Sequence, residues 1–374
     1  MLGNLSWVAL AGALLIPRVP LQAGLPIHTR SSLCYAERSR DTAKMRSANT
    51  RSLFTLASAF LFYRAHASNS SACPAVWSTI AKDLKSSFSG CNNNARSAIR
   101  FAFHDAAGYS SKTPVYAPAS GGADGSLLLS SEELQRPIEN PLQSFQPWLL
   151  AKWNQYKDQG VGAADIVQFA GNVGIRSCNG GPVVQTLIGR EDSSTPAPDG
   201  TLPNAFGPGS DYETLTQLFA DKGFSTTDLA ALLGAHTCSQ AFAARQIPRG
   251  AAQDSTPTTW DNNYYQGLQA VHQNKKRDSN NDADNDVADG ATWSRFGRPD
   301  NGPGGPGGPP GVYHFQSDIN LSQPNTSVGS EMQRFATSLD GFNSAFVDAM
   351  GRMNLLGIPA DVVSGFVDCT SLVE

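Results

Sequence analysis

Between Ala98 and Ala106 the chain reads Ala-Ile-Arg-Phe-Ala-Phe-His-Asp-Ala, an apolar run that carries one guanidinium and one imidazole four residues apart. Residues at i and i+4 leave the same face of an α-helix one turn apart. The helix expected over about residues 94–107 therefore aims a cation, Arg100, and a base, His104, at one spot. On its own such a pair is also at home on a solvated helix face. What the rest of the chain sets opposite it decides the reading.

Helical periodicity continues beyond this segment. Val76, Trp77, Ile80, Leu84 and Phe88 mark one helix, and others are expected at about residues 142–159, 162–172, 211–220 and 330–356. Ser225-Thr226-Thr227-Asp228 is a capped start for another, which leads to Gly234-Ala235-His236. Alternating apolar and polar runs are few, so the fold class is mainly α. Residues 274–311 break the pattern, being acidic and Asn-rich from Asp278 to Gly290 and almost wholly Gly and Pro from Asn301. Such a stretch buries too little apolar surface to offset its ordering entropy, and it reads as a surface insertion. Asp282, Asp284 and Asp286 do not make an EF-hand, because Val287 and Trp293 stand where that loop needs Gly and Glu.

With 374 residues, 40% hydrophobic and 16% charged, the chain is long enough to enclose a cofactor in one large domain or two lobes. A net charge of -4 offers no basic footprint, so no nucleic-acid partner is expected. Two N-terminal apolar stretches, residues 5–17 and 53–63, are too short to span a bilayer. The second has the order of a secretory signal: Arg46 and Arg51, then the apolar run, then Ala65-His66-Ala67. The expected organisation is an upstream extension or mis-assigned start at 1–44, a signal peptide at 45–67, and a secreted domain at 68–374 that is free of the membrane. Signal removal would leave Cys73, Cys91, Cys178, Cys238 and Cys369 in an oxidising compartment, with one of them unpaired and about fifteen ways to choose the pairs. Sequons at Asn69, Asn320 and Asn325 agree with that route.

The arginine–histidine pair suits heterolysis of a peroxide. A neutral imidazole takes a proton from one oxygen and returns it to the departing one, while a fixed cation offsets the charge separated between them. A second apolar run, Leu232-Leu233-Gly234-Ala235-His236-Thr237, ends on another histidine. Asp318 is the candidate acceptor for its ring N–H, and such an acceptor makes an imidazole a stronger donor to iron. Two oxygen-rich clusters complete the set. Asp105 joins the turn Gly121-Gly122-Ala123-Asp124-Gly125-Ser126, and Thr237 joins Asp254, Thr256, Thr259 and Asp261, each offering the ligands a hard cation prefers. Each begins directly after one of the two histidines, which makes ordinary turn chemistry a poor account.

In this order and spacing the motifs from Cys73 to Cys369 resemble the plant, fungal and bacterial haem-peroxidase superfamily, and within it the secreted fungal class II group. Phe103 before His104 and the absence of a Cys after Asp105 set it apart from the intracellular and plant groups. The resemblance implies a two-lobed, mainly α fold with haem b between distal and proximal helical lobes and one calcium ion in each. It makes Arg100 and His104 distal catalysts, His236 the iron ligand and Asp318 its partner. It assigns Asp105, Gly122, Asp124 and Ser126 to distal calcium, and Thr237, Asp254, Thr256, Thr259 and Asp261 to proximal calcium. It further implies disulfides Cys91–Cys178 and Cys73–Cys369, with Cys238 left free. The activity it implies is hydrogen-peroxide-dependent one-electron oxidation of small phenolic or aromatic donors by a monomer.

Three departures from that family pattern refine the expectation. The manganese-binding carboxylates are replaced by Asn93, Ser97 and Phe242, and the exposed tryptophan that serves bulky lignin-like donors is replaced by Ala231, although Trp260 could substitute. Where the family orients the distal histidine with Asn, the same register gives Glu139, with Asn140 one place later. Either a helix shift restores Asn140, or the Glu139 charge raises the pKa of His104 and slows peroxide activation in acid. A high-potential lignin or dye oxidiser using another surface aromatic, and a weakly active haem- and calcium-binding secreted protein, are the alternative readings.

Overall fold

The computed structural model describes residues 72–112, 121–241, 250–278 and 312–374. Helices dominate these segments: α1 (Ala75–Ser87), α2 (Asn93–Ala107), α3 (Ser126–Leu129), α4 (Ser131–Leu134), α5 (Gln146–Tyr156), α6 (Ala163–Ser177), α7 (Tyr212–Ala220), α8 (Thr226–Leu233), α9 (Asn263–Asp278), α10 (Gln316–Leu321), α11 (Ser327–Thr337), α12 (Leu339–Met353) and α13 (Ala360–Val363). The strands are two-residue pieces. Leu187–Ile188 pairs antiparallel with Val367–Asp368, and Gln240–Ala241 pairs with Ala251–Ala252. None of the described helices is long and apolar enough to cross a membrane.

The pairing of α2 with α6 builds one side of the interior. Asn92 starts α2 by accepting hydrogen bonds from the backbone of Asn94 and Ala95, and the helix buries Ala98, Phe101 and Ala102. Close approach explains the small residues at the contact, since a Cβ at Gly171 of α6 would come within 2.5 Å of the Ala102 Cβ. From α1, Trp77 closes over Phe169 with ring centroids 4.9 Å apart. On the other side α8 packs on α11 and α12, and α9 packs on α11. Trp260 stacks on Phe342 at 5.6 Å and meets Phe346 edge-on, and burial of each such side chain contributes about 1.5–3 kcal/mol. Disulfides join Cys73 to Cys369 and Cys91 to Cys178, while Cys238 is a buried free thiol.

Several expectations are corrected. The long C-terminal helix is two helices, because the Ser338 side chain accepts from the Gly341 N–H and starts α12 afresh. Residues 274–278, assigned by sequence to the insertion, are the last residues of α9, and the remainder of that insertion lies outside the described residues. Trp260 is 1% exposed and donates from Nε1 to Asn343, so it is no surface aromatic. The proposed extension, the signal segment and the sequon at Asn69 all lie outside the described residues.

Candidate active site

Arg100, Phe103 and His104 from α2 line a cavity of about 1220 Å³, open mouth included, together with His236, Phe315 and Asp318. Arg100 Nε stands 3.1 Å from His104 Nε2. A guanidinium only donates, so Nε2 is the bare nitrogen of the neutral ring and the proton sits on Nδ1. Nδ1 donates to Glu139, 2.9 Å from Oε2 and 3.1 Å from Oε1. Two independent contacts therefore select the tautomer that leaves a lone pair on the cavity side.

Glu139, not Asn140, reaches the histidine. Asn140 is exposed, and its Oδ1 accepts from the Gln143 side chain, so the helix shift that would have restored Asn140 does not occur. The expected rise in the His104 pKa does not occur either. Burial pushes His104 below its ordinary range, Arg100 adds to that, and the Glu139 charge opposes without reversing it.

His236 lies in the short 3₁₀ turn Gly234–Cys238 that follows α8. A Cβ at Gly234 would sit 2.2 Å from the Phe342 ring and 2.3 Å from the Tyr265 hydroxyl, so only glycine lets the turn seat against this core. The His236 Nδ1 donates to Asp318 Oδ2 at 3.0 Å. Burial alone would raise the Asp318 carboxyl, but the charge and hydrogen bond of His236, with His314 and the Tyr264 hydroxyl, together hold it below the usual range. Gln253 donates to the same Oδ2 at 3.3 Å. With Nδ1 committed, His236 Nε2 has no hydrogen-bond partner among the described residues, and the ring lines the cavity. A bare imidazole nitrogen braced by a buried carboxylate is the donor that haem iron takes, so the residues present fit the expected cofactor.

The two oxygen clusters are also assembled. Asp105 is wholly buried and accepts from the backbone of Gly125 and Leu127 and from Gln168 Nε2. Burial, with Asp124 and Glu133 nearby, pushes its carboxyl well above the ordinary range. Asp124 Oδ1 accepts from the Ser126 N–H, its own N–H donates to the Gly122 carbonyl, and the buried Ser126 hydroxyl lies between the Asp124 and Glu133 carboxylates. Buried carboxylates that destabilise one another beside a hydroxyl oxygen are a donor set that a calcium ion would satisfy. In the second cluster Thr237 Oγ1 lies 3.0 Å from Asp254 Oδ2 and 3.4 Å from both the Thr259 carbonyl and Asp261 Oδ1. Thr256 Oγ1 is 2.8 Å from Asp254 and 2.7 Å from Asp261, which makes this an equally convergent oxygen cage.

Every site residue singled out from the sequence except Asn140 thus falls into one of these three groups. The sequence reading passed over three others. Glu133 is buried, accepts from the Ala197 N–H, and is raised by burial to about 7 beside the distal cluster. Tyr264 and His314 lie against each other next to His236. Nothing in a single sequence marks a buried carboxylate or phenol as different from an exposed one. Phe103 stacks on Phe219 with centroids 6.3 Å apart and walls the cavity. The Cys238 sulfur lies within 4.8 Å of both sulfurs of Cys91–Cys178, but their disulfide removes two of the three thiolates a metal would need.

The family model described as peroxidase matches residues 80–338. A peroxidase of Arthromyces ramosus is 34% identical over 203 residues, which are 53% of this chain and 54% of that protein. The versatile peroxidase VPS1 of Pleurotus eryngii is 27% identical over 311 residues, 81% of this chain and 75% of that protein. Manganese peroxidase H4 of Phanerodontia chrysosporium is 28% identical over 335 residues, 87% and 80% of the two chains. The match thus spans about half the length of the Arthromyces relative and more of the other two.

Proposed function

This chain belongs to the peroxidase family, and we propose that it is of the fungal class II group and reduces hydrogen peroxide at the expense of small phenolic or aromatic donors. The observation that carries the reading is a pair of bare imidazole nitrogens lining one cavity. One is contacted by a guanidinium, and the other is braced by a buried carboxylate.

Haem, when bound, supplies an iron that takes up peroxide and holds the oxidising equivalents drawn from it. His236 Nε2 would hold that iron, with Asp318 fixing the ring. His104 Nε2 receives the proton of the attacking peroxide and hands it to the departing oxygen, which leaves as water. Arg100 is fixed beside it and stabilises the charge that develops as the O–O bond lengthens. Glu139 keeps the His104 proton on Nδ1, so the nitrogen facing the cavity starts each cycle empty. The two calcium cages would brace the end of α2 and the His236 turn, and a secreted monomer spanning residues 68–374 completes the reading.

The rim favours small organic donors. Asn93 and Ser97, at two positions where a manganese site needs carboxylates, line the cavity as neutral side chains. The exposed large apolar side chains among the described residues are Leu339 at 37% and Val362 at 41%, neither aromatic, and Trp260 is buried. A donor panel on haem- and calcium-loaded protein tests this. Guaiacol should be oxidised, with manganese(II) and bulky non-phenolic donors turned over at least 100-fold less efficiently. Comparable manganese turnover would refute the donor assignment, and a haem band without guaiacol oxidation would favour a weakly active binding protein instead.

A further inference from the structure

Arg96, Arg100 and His104 follow one another at intervals of one turn along one face of α2, and the chemistry above uses only the last two. Arg96 lines the same cavity nearer the start of the helix, beside Asn93, Ser97 and Gln240. Its guanidinium donates to the Cys91 carbonyl, to Asn93 Oδ1 and, at 2.6 Å, to Gln240 Oε1. Each of these acceptors is neutral.

Other guanidiniums of the protein face a carboxylate. Arg190 lies 2.9 Å from Asp165, Arg334 lies 2.6 Å from Glu331, and Arg352 contacts Asp228. Arg100 feels the charge of Glu139. Arg96 is half-buried and has no ion-pair partner among the described residues. A Cys238 thiolate would supply a charge, but burial pushes that thiol well up and keeps it neutral. Asp318 is the sole carboxylate among the described residues that line the cavity, and His236 takes it.

A cation drawn partly out of water without a counter-ion is costly, and a guanidinium matches a carboxylate better than any other side chain does. The acceptors named above take three of its five N–H bonds, and Nε is among those left without one. Asn93 is exposed, so its amide can yield to a charged oxygen, which forms the stronger hydrogen bond.

We propose that Arg96 binds the carboxylate of an anionic donor, so that phenolic acids such as hydroxycinnamates are preferred over neutral phenols. Arg96 sets this preference without touching peroxide. The proposal deepens the peroxidase reading above and rests on it for turnover, though not for binding. Haem carries carboxylates of its own, and the experiment separates that source from the donor.

Steady-state kinetics on haem-loaded protein compare a hydroxycinnamate with its methyl ester. The ratio of kcat/KM for the acid to that for the ester should fall about tenfold in Arg96→Gln, through KM, and recover in part in Arg96→Lys, which restores the charge. A ratio unmoved in Arg96→Gln, or one that falls as far in Arg96→Lys, would overturn the proposal. Calorimetry adds a readout free of turnover: benzoate should bind the wild type about tenfold more tightly than Arg96→Gln, and equal binding would also overturn it. Apoprotein is then titrated with haem and with haem dimethyl ester. A loss of affinity in Arg96→Gln for haem but not for the diester would assign the guanidinium to the porphyrin and overturn the donor claim, whereas unchanged haem affinity supports it. A wild type that binds benzoate as expected but oxidises neither donor would overturn the peroxidase reading and leave the carboxylate site standing.

Discussion

The Glu139 carboxylate stands 2.9 Å from Nδ1 of His104, behind the imidazole whose other nitrogen Arg100 meets at 3.1 Å. Glu139 thus contributes in two ways, as acceptor for the Nδ1 proton and as a charge that favours imidazolium. The second effect is the smaller, because burial outweighs it and keeps His104 below its ordinary range.

Removing that charge separates the two contributions. In Glu139→Gln the side-chain carbonyl still accepts from Nδ1, but the raising influence is gone, so the His104 pKa falls further. The bare base is lost on the acid side, and the acid limb of kcat/KM for peroxide should therefore move to lower pH than in the wild type. A limb that moves to higher pH would show that the charge is not what sets it.

Asp318 is expected to act through His236. In Asp318→Asn the ring loses its anionic acceptor at 3.0 Å and donates less strongly to iron. The ferric–ferrous potential, read by spectroelectrochemistry, should rise, and metal affinity or activity should drop by about 10- to 100-fold. An unchanged potential would mean that the hydrogen bond orients the ring without tuning it.

The distal carboxylates make stability depend on calcium and pH together. Burial raises Glu133 from 4.5 to about 7. Without metal, the folded state holds this proton more tightly than the unfolded chain, so its contribution is fully present below pH 4.5 and is lost as pH rises to about 7. A bound cation offsets the loss, with a gain of about 2.7 kcal/mol at a free concentration 100 times Kd. Chelation should therefore lower Tm more at pH 7 than at pH 5, as calorimetry would record. An equal or larger drop at pH 5 would count against calcium at this cluster.

Much of the site was legible because its spacing is helical. Arg100 and His104 share a face by arithmetic, and the acidic and hydroxyl residues after His104 and His236 announce their clusters by type. Boundaries and burial were not legible. The register that distinguishes Glu139 from Asn140 depends on how the 3₁₀ turn Pro137–Glu139 sits over α2, which one residue of slip would reverse. The sign of the His104 shift needed the depth of its burial, and the Ser338 break competes with a run of apolar residues that continues across it. Tyr264 and His314 became notable only once they proved to be packed on each other beside His236.

The central claim is that His104 Nε2 is the base that activates peroxide. Stopped-flow absorption of haem-loaded protein mixed with hydrogen peroxide measures that step directly, comparing wild type with His104→Leu. Positioned acid–base catalysis contributes about 10²- to 10⁴-fold, so the second-order rate constant should fall by that factor while the resting haem band is retained. A loss smaller than tenfold, in protein that still holds haem, would contradict the assignment.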